Sequence, residues 1–192
     1  TLYNGKPMGH PFGKFYIDKY GIPDQIASAQ KIAHRWEIGE RECREFAVES
    51  HRRAFAATGE GRFKNEIIPT NGFDAGGNET TRDTDEPIRP ETTMETLAAL
   101  KVLPNTDWMT AGLSSTITDG SSAMMLAGGD FVKRHKLLPL ARVVASAVSG
   151  SDPVLMLTGP IYATPKVLAK AGLSMEDMDI FEVNEAFAPI PL

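Results

Sequence analysis

Cysteine is almost missing: Cys43 is the single one in 192 residues. An internal disulfide and a C-x-x-C metal or redox pair are therefore excluded. The four histidines, His10, His34, His51 and His135, lie far apart without H-x-x-x-H spacing, so no metal site is expected. Long apolar runs are missing too, none approaching the ~18 residues that a membrane-spanning helix needs. The opening Thr1-Leu2-Tyr3-Asn4-Gly5-Lys6-Pro7 has no basic end followed by an apolar stretch, unlike a secretory signal. No run of Lys or Arg exceeds three residues, and the net charge is −5. Neither a nucleic acid nor a membrane is an expected partner. A small anionic ligand stays open, since it needs only a local positive site. The expectation is a soluble cytoplasmic protein. The missing initiator Met and the stop at Pro191-Leu192 read as a piece of a longer chain.

What is present is an ordinary globular composition, 42% hydrophobic and 23% charged, able to bury a sizeable core. Residues 1–25 are rich in Gly, Pro and aromatics without a period and read as irregular. Ile26, Ala29, Ile32, Ala33 and Trp36 follow helical spacing. A second helix is predicted from Gly39 to Gly59, with Cys43, Phe46, Ala47, Ser50, Ala54 and Ala57 on one face. Glu66-Ile67-Ile68 reads as a short strand, and 70–90 as a polar, turn-rich loop. Thr92 with Glu95 reads as a capping box opening a short helix to Leu100.

The second half changes character. Strands are predicted at Ser121–Leu126, Ala141–Val148 and Asp179–Val183, with helices at Asp130–Lys136 and from Thr164-Pro165 to the stop glycine Gly172. Alternating strands and helices argue for an α/β fold with partly parallel pairing. Three strands and two helices are too few to cover both faces of a sheet.

Several segments carry a family resemblance. Thr110-Ala-Gly-Leu-Ser-Ser-Thr-Ile-Thr-Asp-Gly120 resembles the thiolase stretch T-A-G-N-S-S-x-x-S-D-G, with Leu113 where Asn is common. Pro139-Leu-Ala-Arg142, Asp152-Pro153, Thr158-Gly-Pro160, Lys170-Ala-Gly-Leu173 and Asn184-Glu-Ala-Phe-Ala188 follow in the family's order. Ala47 to His51, Gly61 to Pro69 and Glu86 to Thr93 resemble its loop domain. The resemblance covers essentially the whole chain. It implies a thiolase-like α/β fold, a mixed sheet with helices on both faces, preceded by an irregular, mainly helical loop domain. The implied division is a loop domain over 1–95, the end of the N-terminal core domain over 96–135, and the first part of the C-terminal core domain over 136–192.

Thiolases cleave a 3-ketoacyl-CoA with free CoA, or run the reverse condensation, using two cysteines and a histidine. A thiolate must hold the acyl group, and a base must handle the α-proton or the incoming thiol. The family's nucleophilic cysteine falls upstream of these residues, and its G-H-P histidine and second cysteine fall downstream. Gly9-His10-Pro11 resembles G-H-P locally but lies at the wrong end of the family order. Cys43, on a helix stripe beside Phe46 and Ala47, reads as structural.

The resemblance makes Asn184 the catalytic position, fixing a water that donates into an oxyanion hole; the rival role is capping a following helix. Ala111, Gly112 and Ser115 match the segment along the pantetheine arm, against a plain tight Gly/Ser turn. Arg89 matches an arginine beside the CoA adenine and phosphates, where a guanidinium fork suits anions; the rival is a solvated loop charge. Thr96 matches a neighbouring polar contact. Ala186 and Phe187 would line the acyl site, or equally the core. Coenzyme A enters as a substrate, and no cofactor is implied. Asp24-Gln25 departs from the His-Met of many biosynthetic thiolases and resembles thiolases of bulkier steroid or branched acyl groups. The expected function is degradative acyl-CoA thiolysis by a homodimer or homotetramer, in lipid or steroid breakdown. The isolated 192-residue chain is expected to be inactive. The alternatives are a non-catalytic thiolase-like acyl-CoA or lipid binder, and a piece serving only in oligomer assembly.

Overall fold

The computed structural model describes residues 12–192, together with the backbone of Leu2–Tyr3 and Lys6–Pro7. His10 lies outside the described residues. The chain divides into two compact units, one built from 24–116 with 184–192, the other from 1–23 with 117–183.

The first of these is organised around two helices. Helix α2 (Gln25–Arg35) begins at Asp24, whose Oδ1 accepts from the amides of Ile26 and Ala27 at 3.0 and 3.1 Å. Two of the four donors that a helix start leaves unpaired are thereby satisfied. This cap explains the aspartate that departs from the family pattern. The helix buries Ala29, Ile32 and Ala33, the predicted face, while Trp36 at its end is exposed. Gln30, also buried, turns its Oε1 to the amides of Asp107 and Trp108, both at 3.2 Å, and so anchors a distant loop.

Helix α3 (Glu40–Gly59) matches its predicted span. Cys43 and Ala47 are buried, and Phe46, Ser50, Ala54 and Ala57 are half-buried along the same stripe. Its outer face is laced by Arg44–Glu40, Arg41–Glu45 and a pair of arginines, 52 and 53, on Glu49. Those two guanidinium groups hold the Glu49 carboxyl down at about 2. The inner stripe packs on α4 (Met94–Ala98) and on a 3-10 turn at Ala111–Leu113. The start of α4 is one residue later than predicted. Thr93, not Thr92, is the cap, and its box partner is Thr96. Thr92 is instead used to hold the carbonyl of Arg89, with both its amide and its hydroxyl.

The strand predicted at Glu66–Ile68 is not formed, and the predicted 70–90 loop contains a hairpin instead. Strand β3 (Thr70–Phe73) pairs antiparallel with β4 (Glu79–Arg82). Asp74 closes the turn by accepting from the amides of Gly76 and Asn78, and Gly77 takes the left-handed φ of 81°. The turn residues that argued for a loop are the ones that let two short strands meet.

In the other unit, α1 (Lys14–Tyr20) forms where an irregular segment was expected. Phe12 stacks on Tyr16 at 4.9 Å and Tyr16 meets Tyr20 in a tilted contact at 5.1 Å, pairs at the four-residue spacing that puts side chains on one helix face. The backbones of β1 (Leu2–Tyr3) and β2 (Lys6–Pro7) pair antiparallel. Helix α5 (Gly129–Arg134) ends two residues before its predicted stop. Helix α6 (Gly159–Ala171) starts five residues before the predicted Thr164, with Pro160 in its first turn and Pro165 inside it. Its predicted stop is correct: Gly172 adopts φ 70°, ψ 30° as the left-handed cap.

The strands predicted at 121–126, 141–148 and 179–183 form no ladder among the described residues. Their backbones run without strand pairing, and Met124, Leu126, Val144, Val148 and Ile180 stand exposed. A strand exists only through hydrogen bonds to a neighbour, and an apolar pattern without that neighbour leaves an unpaired segment. Ala145, Ala147 and Ser149 are half-buried in alternation with exposed neighbours, the two-residue period of a strand. Helix α6 contacts this stretch through Lys166 to Ser149 Oγ (2.9 Å) and Lys170 to the Ser146 carbonyl (3.2 Å).

Candidate active site

Two motifs separated by some seventy residues in sequence meet in the unit of residues 24–116 and 184–192. The amide of Ser115 donates to the Ala186 carbonyl at 3.0 Å, and the amide of Ala188 donates to the Leu113 carbonyl at 2.9 Å. Between them Ser114 and Phe187 face each other in an antiparallel bridge. Leu113–Ser115 and Ala186–Ala188 therefore run side by side.

The packing beneath this strip dictates its residue types. Gly112 has no room for a side chain: an added Cβ would come within 2.5 Å of Leu97 Cδ2 and 2.7 Å of Leu100 Cδ1. Leu113 is buried, an apolar residue at the place where Asn is common in the resembling stretch. Phe187 and Ala188 are also buried, while Ala186 is half-buried and Ala111 and Ser115 are exposed. Phe187 thus belongs to the core here, while Ala111 and Ser115, and in part Ala186, reach the surface. Thr110 is buried with its Oγ1 unpartnered, although its carbonyl accepts from the Leu113 amide and the Ser114 hydroxyl.

Asn184 is exposed at the head of the strip, and its side chain makes no hydrogen bond among the described residues. Residues 185–192 contain turns and no helix among the described residues. Its neighbour Glu185 is held from α3, with Ser50 Oγ donating to Glu185 Oε2 at 2.7 Å.

The next residue of α3 holds another segment. His51 Nδ1 accepts from the amide of Arg89 at 3.3 Å. Partial burial, and then the Arg89 charge, push the His51 pKa below its ordinary value, against the opposing pull of Glu91 and Glu185. His51 is therefore a neutral acceptor at pH 7. The Arg89 guanidinium is exposed and uses Nη1 on the Pro87 carbonyl at 3.1 Å, leaving donors free for a ligand. Thr96 is committed locally, its Oγ1 accepting from the Thr93 amide at 2.8 Å and donating to the Thr93 carbonyl at 3.0 Å. Ser115, Ala186 and Phe187 are thus brought together, with Ala111 and Gly112 just before one strand of the pairing and Asn184 just before the other, whereas Arg89 and Thr96 lie on a loop and on α4. Ser50 and His51 were read in the sequence as part of a helix stripe and a motif, without a role towards either segment. The available signal was a serine interrupting an otherwise small and apolar stripe, with a histidine beside it.

Cys43 has no accessible surface, and burial, reinforced by Glu42 and Glu40, raises its thiol to about 12. It is no nucleophile. No group of three or more His, Cys, Asp or Glu among the described residues is arranged to hold a metal ion. No helix among them is long and apolar enough to cross a membrane.

Comparison with known proteins identifies the family. The family models of the thiolase N-terminal domain and the thiolase C-terminal domain match residues 22–130 and 137–192. A 3-ketoacyl-CoA thiolase of Vibrio cholerae serotype O1 is 48% identical over 163 residues, 84% of this chain and 42% of that protein. The crystal structure of the Bacillus anthracis acetyl-CoA acetyltransferase superposes with a TM-score of 0.83 at 36% identity, covering 88% of this chain and 43% of that one. Human mitochondrial 3-ketoacyl-CoA thiolase gives 0.82 at 36% identity, covering 100% and 50%. The chain spans half or less of the length of each of these proteins. With both domain models matched in order, and a fold shared with solved thiolases, the chain belongs to the thiolase family.

Proposed function

We propose that these residues are part of an acyl-CoA thiolase, an acetyl-CoA C-acyltransferase that cleaves a 3-ketoacyl-CoA with free CoA in lipid or steroid breakdown. The observation that carries this reading is the pairing of the two motifs through Leu113–Ser115 and Ala186–Ala188, fastened by the Ser115 amide on the Ala186 carbonyl at 3.0 Å. A narrow strip of small residues suits a thin pantetheine arm, which would run along Ala111, Gly112 and Ser115. Ala186 would face the acyl end, with Phe187 as its buried support. Arg89, with donors free on an exposed fork, would take CoA phosphates. Thr96 would act by fixing the turn beside them. Loop-domain character over 1–95 and core-domain character over 96–135 and 136–192 go with this reading, as do a cytoplasmic location and a homodimer or homotetramer; their support is the family resemblance alone.

Thiolysis needs negative charge to be stabilised on the thioester oxygen as sulfur attacks the carbonyl carbon. The Asn184 amide would hold a water whose O–H points at that oxygen, a fixed dipole that is stronger in the transition state than in the ground state. The thiolate itself must come from a residue other than Cys43. The test is made in the full-length polypeptide. Losing a direct oxyanion donor costs about 100- to 1,000-fold in kcat, and a water-mediated one is expected at or somewhat below the lower end. Asn184→Ala should slow kcat with KM little changed. Asn184→Asp should be as poor or worse, since a carboxylate opposes the developing charge. An Asn184→Asp enzyme with normal kcat overturns the assignment.

A further inference from the structure

Residue 184 has no tether of its own, yet the backbone on its C-terminal side is held twice. Ala186 is fixed through its carbonyl by the Ser115 amide, and Glu185 is fixed through its carboxylate by Ser50 Oγ at 2.7 Å. Ser50 and Glu185 are 135 residues apart in sequence. The two ends of this bond differ in freedom. Ser50 is half-buried on the α3 stripe that carries Cys43 and Ala47 at helical spacing, so its Oγ stands on a rigid element. Glu185 is exposed, in a stretch without regular structure, and would otherwise be free to swing. A hydroxyl donating to an ionised carboxylate is a charge-assisted bond, short and directional.

We propose that Ser50 is a positioning residue for the thiolase reaction: by holding Glu185 it fixes the backbone of the adjacent Asn184 and aims that amide. This rests on the oxyanion reading of Asn184. Glu185 touches no substrate in this scheme. Its task is to carry the rigidity of α3 to a segment that lacks it. Orientation is where such a tether acts, because a misplacement of about 1 Å costs up to about 100-fold in rate.

The experiment is steady-state kinetics and thermal melting on the full-length polypeptide. Ser50→Ala should lower kcat by about tenfold, a partial loosening on the scale set by misplacement, with KM for CoA and the melting temperature little moved. Glu185→Ala, a change at an exposed side chain, should reproduce that loss, and it decides the matter should Ser50→Ala fail to fold. Glu185→Gln keeps an acceptor for the serine and should recover most of the rate. The double variant Ser50→Ala with Asn184→Ala should be no slower than Asn184→Ala alone, the non-additivity expected of one unit. A slow Asn184→Ala beside normal Ser50→Ala and Glu185→Ala enzymes overturns the positioning role and leaves the oxyanion reading standing. A normal Asn184→Ala overturns the oxyanion reading, and the proposal with it. A fall in melting temperature without a fall in kcat makes Ser50 a merely structural contact and overturns the proposal as well.

Discussion

At the scale of single residues, environment decides chemistry more than residue type does. Cys43 is a thiol in a protein whose family works through thiolates, yet burial first, and then Glu42 and Glu40, raise it from an ordinary 9.0 to about 12. Its neutral form is the one the folded state favours. The resulting stability is present in full below pH 9 and is lost as pH rises towards 12. A thiol reagent at pH 8 should therefore leave the native protein unlabelled and label it once in denaturant, and Cys43→Ala should flatten the alkaline loss of stability. Prompt labelling of the native protein would contradict the burial. Arg89 is the opposite case, an exposed cation with donors to spare. In the full-length polypeptide, Arg89→Ala should weaken CoA binding by about 1.5–3 kcal/mol, the range for hydrogen bonds to charged groups. That loss should shrink as salt rises. Calorimetry showing no change in affinity would make Arg89 a solvated loop charge.

At the scale of elements, the tight joint is where α4 meets the 3-10 turn of Ala111–Leu113. Leu97 and Leu100 press on Gly112 closely enough that a methyl group would sit 2.5 and 2.7 Å from their terminal carbons. Gly112→Ala should cost about 1–3 kcal/mol by overpacking, read as a lower midpoint in urea. Since Ser115 follows on the same strip, the substitution should also disturb its bond to Ala186. Full stability in Gly112→Ala would mean that the leucines swing aside, and that the glycine serves something other than packing. The helix starts show how local chemistry sets boundaries. Thr93 and Thr96 satisfy each other's orphan donors, which is why α4 begins at Met94 although Thr92 and Glu95 have the same spacing.

At the scale of the molecule, chemistry is limited by what the 192 residues hold. Their one thiol is buried and pushed up to about 12, so it stays neutral at pH 8. A polypeptide of these residues alone should show no thiolysis of a 3-ketoacyl-CoA. Stoichiometric release of CoA thiol that persists in Cys43→Ala would reveal another nucleophile and overturn this.

What the sequence determined by itself was local and periodic. The α3 stripe from Cys43 to Ala57, the Gly172 stop, and Ala29, Ile32 and Ala33 of the α2 face follow from spacing and backbone freedom and are present, whereas Trp36, read on that same face, is exposed. The motif Thr110–Gly120 and the motif Asn184–Ala188 were legible as family signatures, and their roles remain to be tested. Tertiary structure decided the rest, because it depends on partners. Ring contacts of Phe12, Tyr16 and Tyr20 accompany α1 where an irregular stretch was expected, and Asp74 closes the turn of a hairpin where a loop was expected. The apolar segments at 121–126, 141–148 and 179–183 have strand-like patterns but no ladder among the described residues, since pairing belongs to two strands and no single pattern contains it. The same holds for Ser50. On a helical wheel it is one member of a stripe, and only the fold brings Glu185, 135 residues away, within 2.7 Å of its hydroxyl.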